Sequence, residues 1–253
     1  MRVFALSDIH VDYDANARWV DQLSTADYRD DVLILAGDVT HRPPLFAQCL
    51  SAFAARFAHV LFVPGNHDLW VLGDDEAKTS LDKFREVTAL AQECGASLEP
   101  LDVDGFHIAP LFGWYDYSFG EPGEELQRVW ADFRACRWPE GFTTADIAAH
   151  FTALNQRTVP HGARTVITYS HFLPRIDLIP AFVPARHRML DPVLGSSSLD
   201  RQLRDLRADI HVYGHSHIAR STTIDGVRYV NNAFGYPQEG ALGPKQLACI
   251  AET

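Results

Sequence analysis

Five polar stretches of this chain each follow an apolar run, and together they carry side chains able to bind metal and move protons. Gly65-Asn66-His67-Asp68 comes after the apolar run 59–64. Its asparagine supplies an amide oxygen for a hard cation, and its histidine an imidazole for proton transfer. In Asp8-Ile9-His10 the polar residues stand one residue apart, so extended backbone turns both to one side and Ile9 to the core. Asp8 and His10 can therefore converge on one ion. Asp38 follows Gly37, His171 follows Ser170, and Gly214-His215-Ser216-His217 again sets two imidazoles one residue apart. Each stretch alone reads equally as a turn with a surface histidine; their repetition after successive strands is hard to attribute to chance.

The elements that must present these residues alternate in type. Segments 2–7, 31–36 and 59–64 read as buried strands, each ending in a glycine or polar turn. Between them, 15–23 has helical apolar spacing, and Pro43-Pro44 opens a helix that runs through Leu45, Leu50 and Phe57. In an open α/β sheet, side chains at the strands' carboxyl ends share one edge, where ligands bind. A helix over 76–94 is closed by Gly95. Segments 98–103 and 106–112, joined by Asp104-Gly105, form a hairpin that begins a second sheet. In the aromatic stretch 113–120, Trp114 reads as a cap on the core, whereas Tyr115 and Tyr117 are open between core and substrate contact. Helices over 124–135 and 143–157 make a helical insertion around 120–160. Strands over 164–169 and 209–213 flank a helix over 198–206, and 220–250 alternates like a hairpin pair. The stretch 174–194, with Arg175, Arg186, His187 and Arg188, is the candidate specificity loop.

Composition narrows the classes. The chain has 253 residues, 47% of them hydrophobic, enough to bury the core of one domain spanning 1–253. A net charge of −11 makes nucleic acid an unlikely partner and an anionic membrane surface equally so. No apolar run approaches the roughly twenty residues of a membrane-spanning helix. The four cysteines lie far apart, which suits a reducing cytoplasm better than a disulfide framework. Twelve histidines in so acidic a chain are raw material for a metal site, although most could be ordinary surface residues.

Taken in order, aspartate-x-histidine, glycine-aspartate, glycine-asparagine-histidine-aspartate, a single histidine and glycine-histidine-x-histidine resemble the calcineurin-like metallophosphoesterase family, over nearly the whole chain. The resemblance implies a four-layer α/β/β/α sandwich with two mixed β-sheets. It also implies two divalent or trivalent transition-metal ions, one held by Asp8, His10 and His217, the other by Asn66, His171 and His215, with Asp38 bridging. Carboxylate, amide and imidazole ligands without thiolate suit manganese, iron, cobalt or zinc. The tyrosine behind the colour of purple acid phosphatases has no counterpart in Gly37-Asp38-Val39-Thr40-His41. The implied activity is that of a phosphoric ester hydrolase acting on monoesters or diesters of a small phosphorylated metabolite or nucleotide. Two cations about 4 Å apart would lower the pKa of a bridging water, giving a hydroxide for in-line attack. By the same resemblance His67 is the general acid and Arg42 a phosphate contact. The family's protein phosphatases orient that histidine with an aspartate at the position of His41, so Asp68 or a backbone carbonyl is the candidate to orient His67 here. Rival expectations are a protein phosphatase, a pyrophosphohydrolase or a non-catalytic metal-binding scaffold.

Overall fold

The computed structural model describes residues 1–155, 162, 164–240 and 245–253. Three apolar runs form strands β1 (Arg2–Leu6), β2 (Val32–Ala36) and β3 (His59–Val63), with helices α1 (Asp14–Gln22) and α2 (Pro43–Ala54) as the crossovers. Pro43 and Pro44 occupy the first turn of α2, where a missing N–H costs nothing. Helix α3 (Ser80–Glu93) starts later than the apolar spacing implied, because the Thr79 hydroxyl caps the Asp82 amide while the Asp82 carboxylate returns to Thr79. Gly95, at φ +89°, closes the helix, and β4 (Ala96–Ser97) follows.

Strands β5 (Leu101–Val103) and β6 (Phe106–Pro110) form the expected hairpin, with Asp104 at φ 49° and Gly105 at φ 85°. The helix expected over 124–135 is instead two short ones, α4 (Glu124–Val129) and α5 (Asp132–Ala135), broken at Trp130 in extended backbone. Helix α6 (Thr144–Ala153) is capped by Thr143 and Asp146 and ends before residues 156 and 157, which lie outside the described residues. Then come β7 (Thr165–Tyr169), α7 (Ser197–Asp205), β8 (Ile210–Tyr213) and the hairpin β9 (Arg220–Ile224) and β10 (Val227–Asn231). The last strand, β11 (Ala248–Glu252), does not complete a second hairpin as its alternation implied; it crosses to the first sheet and pairs antiparallel with β1.

The strand order is β11-β1-β2-β3-β4 in one sheet and β5-β6-β7-β8-β10-β9 in the other. Both are mixed: the inner strands run parallel and β11, β5 and β9 antiparallel. Alternation sorts the faces, because neighbouring residues of a strand point oppositely. Val3, Ala5, Ile34 and Val63 meet Ile108, Ile167, Tyr169 and Val212 between the sheets. Phe4, Leu6, Leu33 and Leu35 pack outward under α1, α2 and α3. On the far side α6 and α7 cover the second sheet through Phe151, Leu199 and Leu203. The four-layer α/β/β/α sandwich is therefore the fold. No helix among the described residues is long and apolar enough to cross a membrane, and all four cysteines are free thiols.

Two histidines belong to the core rather than to the surface or the site. His107 and His211 are both fully buried. Ser170 Oγ donates to the Phe172 carbonyl, so it accepts from His211 Nε2 at 3.1 Å, and Thr168 Oγ1 donates to Nδ1 at 2.8 Å. That pairing satisfies one neutral tautomer, and burial holds His211 down at about 3. An unfolded histidine titrates near 6.5, so the unfolded chain takes up this proton first. The stability contributed by neutral His211 is complete above about pH 6.5 and is lost progressively as pH falls toward 3, by about 2 kcal/mol between pH 6.5 and 5. Urea denaturation at those two pH values should show a slope shallower by about one proton in His211→Gln than in the wild type; equal slopes would show that His211 is not the source.

Candidate metal centre and substrate cavity

The carboxyl ends of β1, β2, β3, β7 and β8 meet at one edge, and there the backbone leaves the extended region abruptly. Asp8 (φ 53°), His10 (φ 42°), Asp38 (φ 56°), His215 (φ 68°) and His217 (φ 53°) are all left-handed. Asp and His tolerate this conformation better than most residues, but each position still costs about 1–3 kcal/mol. The loops beyond the strands continue to pair: Asp8 N–H donates to the Gly37 carbonyl and His10 N–H to that of Asp38. Glycine is required where they crowd. A Cβ on Gly65 would collide with Asp38 Oδ1, and one on Gly37 would lie 2.6 Å from His171 Nδ1.

Six side chains converge around Asp38. His171 Nε2 lies 3.5 Å from Asp38 Oδ1, 3.1 Å from Asn66 Oδ1 and 3.1 Å from His215 Nδ1. On the other side, Asp38 Oδ2 is 3.8 Å from His10 Nε2, which is 3.2 Å from His217 Nε2; that nitrogen is 3.3 Å from Asp8 Oδ1. Two groups that could each hold a metal ion result, Asp8-His10-Asp38-His217 and Asp38-His171-His215, sharing one carboxylate. The outer ring nitrogens define which lone pairs face inward. His171 Nδ1 is 2.9 Å from the Ala36 carbonyl and His215 Nε2 is 3.0 Å from that of Val193, so each outer nitrogen carries the proton. His217 Nδ1 meets Glu239 Oε2 at 2.7 Å. For His171 and His215 the inner nitrogens thus face each other with lone pairs and no proton between them, an arrangement that a cation satisfies. The residues fit metal on this ground.

Electrostatics follow from burial. Burial lowers His171 and holds His215 well below the ordinary imidazole value; burial, and then the charge of His217, hold His10 down at about 3. Burial opposes charge on His217, but Asp8 and Glu239 raise it to about 10. Burial would raise Asp8, yet the charge and hydrogen bond of His217 hold it well below the usual carboxylate range. Asp38 is pushed up by burial and then by the charges of Asp8 and Asp68.

His67 stands beside this centre, its Nε2 3.9 Å from Asp38 Oδ2. Asp68 does not orient it. The Asp68 carboxylate is fully buried and accepts from the amides of Asp38, Val39, Thr40 and Gly65, which exhausts its lone pairs. The ring of His67 is instead stacked on Trp70, centroids 3.7 Å apart at 28°. Arg42 also departs from expectation: its side chain is 61% exposed, lies 3.5 Å from Asp12, and faces a shallow depression with His41 rather than the cavity over the centre. A helix-opening proline pair follows it directly, which turns the chain away from the site.

That cavity has a volume of about 620 Å³. The segment 174–194 forms one wall through Ile179, Phe182, Val183 and Leu190, and Val129 and Trp130 form another. The aromatic stretch does not reach it: Trp114 and Tyr115 are buried in the core under α6. Sequence reasoning missed Trp70, Trp130, Asp132, Tyr236 and Glu239. Their only signal was position between recognisable elements, since nothing in spacing links them to the ligand residues.

A profile of the calcineurin-like phosphoesterase family matches residues 1–219. The chain belongs to that family of metal-dependent hydrolases of phosphoric esters. It is 28% identical over 264 aligned positions to the acyl-carrier-protein phosphodiesterase PptH of Mycobacterium tuberculosis, covering 94% of this chain and 78% of that protein. The crystal structure of phosphopantetheinyl hydrolase PptH from Mycobacterium tuberculosis superposes with a TM-score of 0.77 at 25% identity, covering 100% of this chain and 96% of the other.

Asp68→Asn tests the structural role of that carboxylate. An amide offers one acceptor and one donor where four N–H groups need acceptors, so urea denaturation should show a loss of about 2–3 kcal/mol. Unchanged stability with a steeper dependence of rate on the leaving group would return Asp68 to the catalytic role.

Proposed function

We propose that this protein is a two-metal phosphodiesterase whose substrate is a singly charged phosphodiester bearing a bulky uncharged arm, with a phosphopantetheinyl-carrying protein as the first class to test. One observation carries the reading: among the described residues lining the cavity there is no lysine or arginine, while one side is apolar. Phosphate dianions and polyphosphates are ordinarily met by guanidinium and ammonium groups as well as metal. A diester carries a single charge, which the metal centre meets, and its substituent gains about 25 cal/mol per Å² of apolar surface buried against Ile179, Val183 and Trp130. The same absence disfavours a pyrophosphohydrolase. The names of the similar proteins support the direction, a phosphodiesterase and a phosphopantetheinyl hydrolase.

In this reading Asp8, His10 and His217 hold one ion, Asn66, His171 and His215 the other, and Asp38 both; manganese, iron and zinc suit the donor set. When bound, the ions supply a hydroxide at neutral pH and neutralise the phosphoryl oxygens. The chain's own part is orientation and proton transfer. His67 donates its Nε2 proton to the departing oxygen. Burial keeps His67 well below its ordinary pKa in the free site. A phosphoryl anion beside it raises that value, so protonation is coupled to substrate binding.

Metal-stripped protein reconstituted separately with manganese, iron, cobalt, nickel or zinc should hydrolyse bis-p-nitrophenyl phosphate at least about tenfold faster than p-nitrophenyl phosphate, since the monoester's second charge has no cationic side chain to meet it. A monoester preference, or no turnover with two ions bound, would overturn the diesterase reading. His67→Ala should keep both ions and lose about 10²–10⁴-fold in kcat on diesters with poor alkoxide leaving groups, but far less on nitrophenolate. Equal losses on both would remove the general-acid role.

A further inference from the structure

Asp132 is the buried acid that the reaction scheme does not use. It is 2% exposed, is the first residue of α5 just after the break at Trp130, and makes no ion pair with lysine or arginine among the described residues. Three neutral donors surround it instead. Oδ1 accepts from Asn66 Nδ2 at 2.9 Å and from Trp70 Nε1 at 2.7 Å, and Oδ2 accepts from Trp130 Nε1 at 2.9 Å. We propose that Asp132 is the positioning residue that sets the amide of Asn66, the ring of His67 and the cavity wall at Trp130 in one geometry.

Each contact acts through a different group. An ionised carboxylate only accepts, so it fixes Nδ2 of Asn66 outward and leaves Oδ1 facing His171 Nε2 at 3.1 Å. An amide without such a partner can rotate by half a turn and present N–H to the metal site. Anchoring Trp70 by its indole N–H holds the ring on which His67 is stacked, which supplies the restraint that His41 does not. Trp130 lines the cavity and lies edge-on to the His215 ring, centroids 5.7 Å apart at 85°. One acceptor therefore couples a metal-binding oxygen, the proton donor and the substrate wall. A carboxylate is required because all three partners are donors; an amide would put N–H against one of them.

The assignment rests on Asn66 as a ligand and His67 as the acid, so the test separates the two levels. Manganese binding to stripped protein is followed by calorimetry for wild type, Asp132→Asn and Asp132→Ala, with melting curves on the same samples. The wild type should bind two ions, and both variants should weaken one of them by about 10–100-fold while leaving the other unchanged. In Asp132→Asn the amide N–H opposes Trp130 Nε1, so adding Trp130→Phe should remove that clash and recover most of the lost affinity. Asp132→Asn keeps the shape of the side chain and carries the test if Asp132→Ala does not fold. Two ions bound by Asp132→Asn at wild-type affinity, with only the melting temperature lowered, would make Asp132 a merely structural residue and overturn the assignment alone. A wild type that binds fewer than two ions would overturn the dinuclear reading and the assignment together.

Discussion

The site depends on a carboxylate whose four hydrogen bonds all come from backbone amides. Where β2 and β3 end, the chain turns out of its sheet and four amides lose their ladder partners. Asp68 collects all four, from Asp38, Val39, Thr40 and Gly65. Burial pushes its carboxyl up, to about 7, while those amide hydrogen bonds favour the ionised form. The turn it stabilises puts Asp38 in a left-handed conformation beside the equally left-handed Asp8 and His10. Strain of this kind persists only where neighbours over-determine it. Here the neighbours are Asp68 and the close approach of Gly37 and Gly65, whose missing side chains leave room for Asp38 and His171.

Convergence alone would not make the histidines ligands. Main-chain carbonyls of Ala36 and Val193 hold the outer nitrogens of His171 and His215, and Glu239 holds that of His217. Each imidazole is thereby turned so that its inner nitrogen faces the cluster. Burial keeps His10, His171 and His215 neutral, the form that binds metal. The protein thus concentrates acceptors at one edge of the sandwich and leaves their charge balance to cations.

The cavity above that edge has a different character. Its walls come from two segments that connect strands of the second sheet, and their exposed side is apolar. Phe182, on one of those walls, is 78% exposed. In the proposed reading, charge recognition at the centre would anchor phosphorus and apolar recognition at the wall would select what is attached to it.

The motifs that converge at the candidate site and the strands that deliver them were legible in the sequence. A strand of apolar residues ending in glycine and a polar pair is a local pattern, and local patterns survive without a fold. Glycine spacing likewise announced Gly37, Gly65 and the Asp104-Gly105 turn. Contacts made by residues far apart in the chain were decided only in three dimensions. The Asn66 amide meets a carboxylate 66 positions away, and His217 meets Glu239 across the whole β9–β10 hairpin. Asp68 sits next to His67 in sequence and yet serves the backbone, because a helical turn points successive side chains in different directions. Trp70, three residues beyond His67, reaches its ring for the same reason. The final strand shows the limit most plainly: its alternation specified a strand, but which sheet it joins depended on which edge was free.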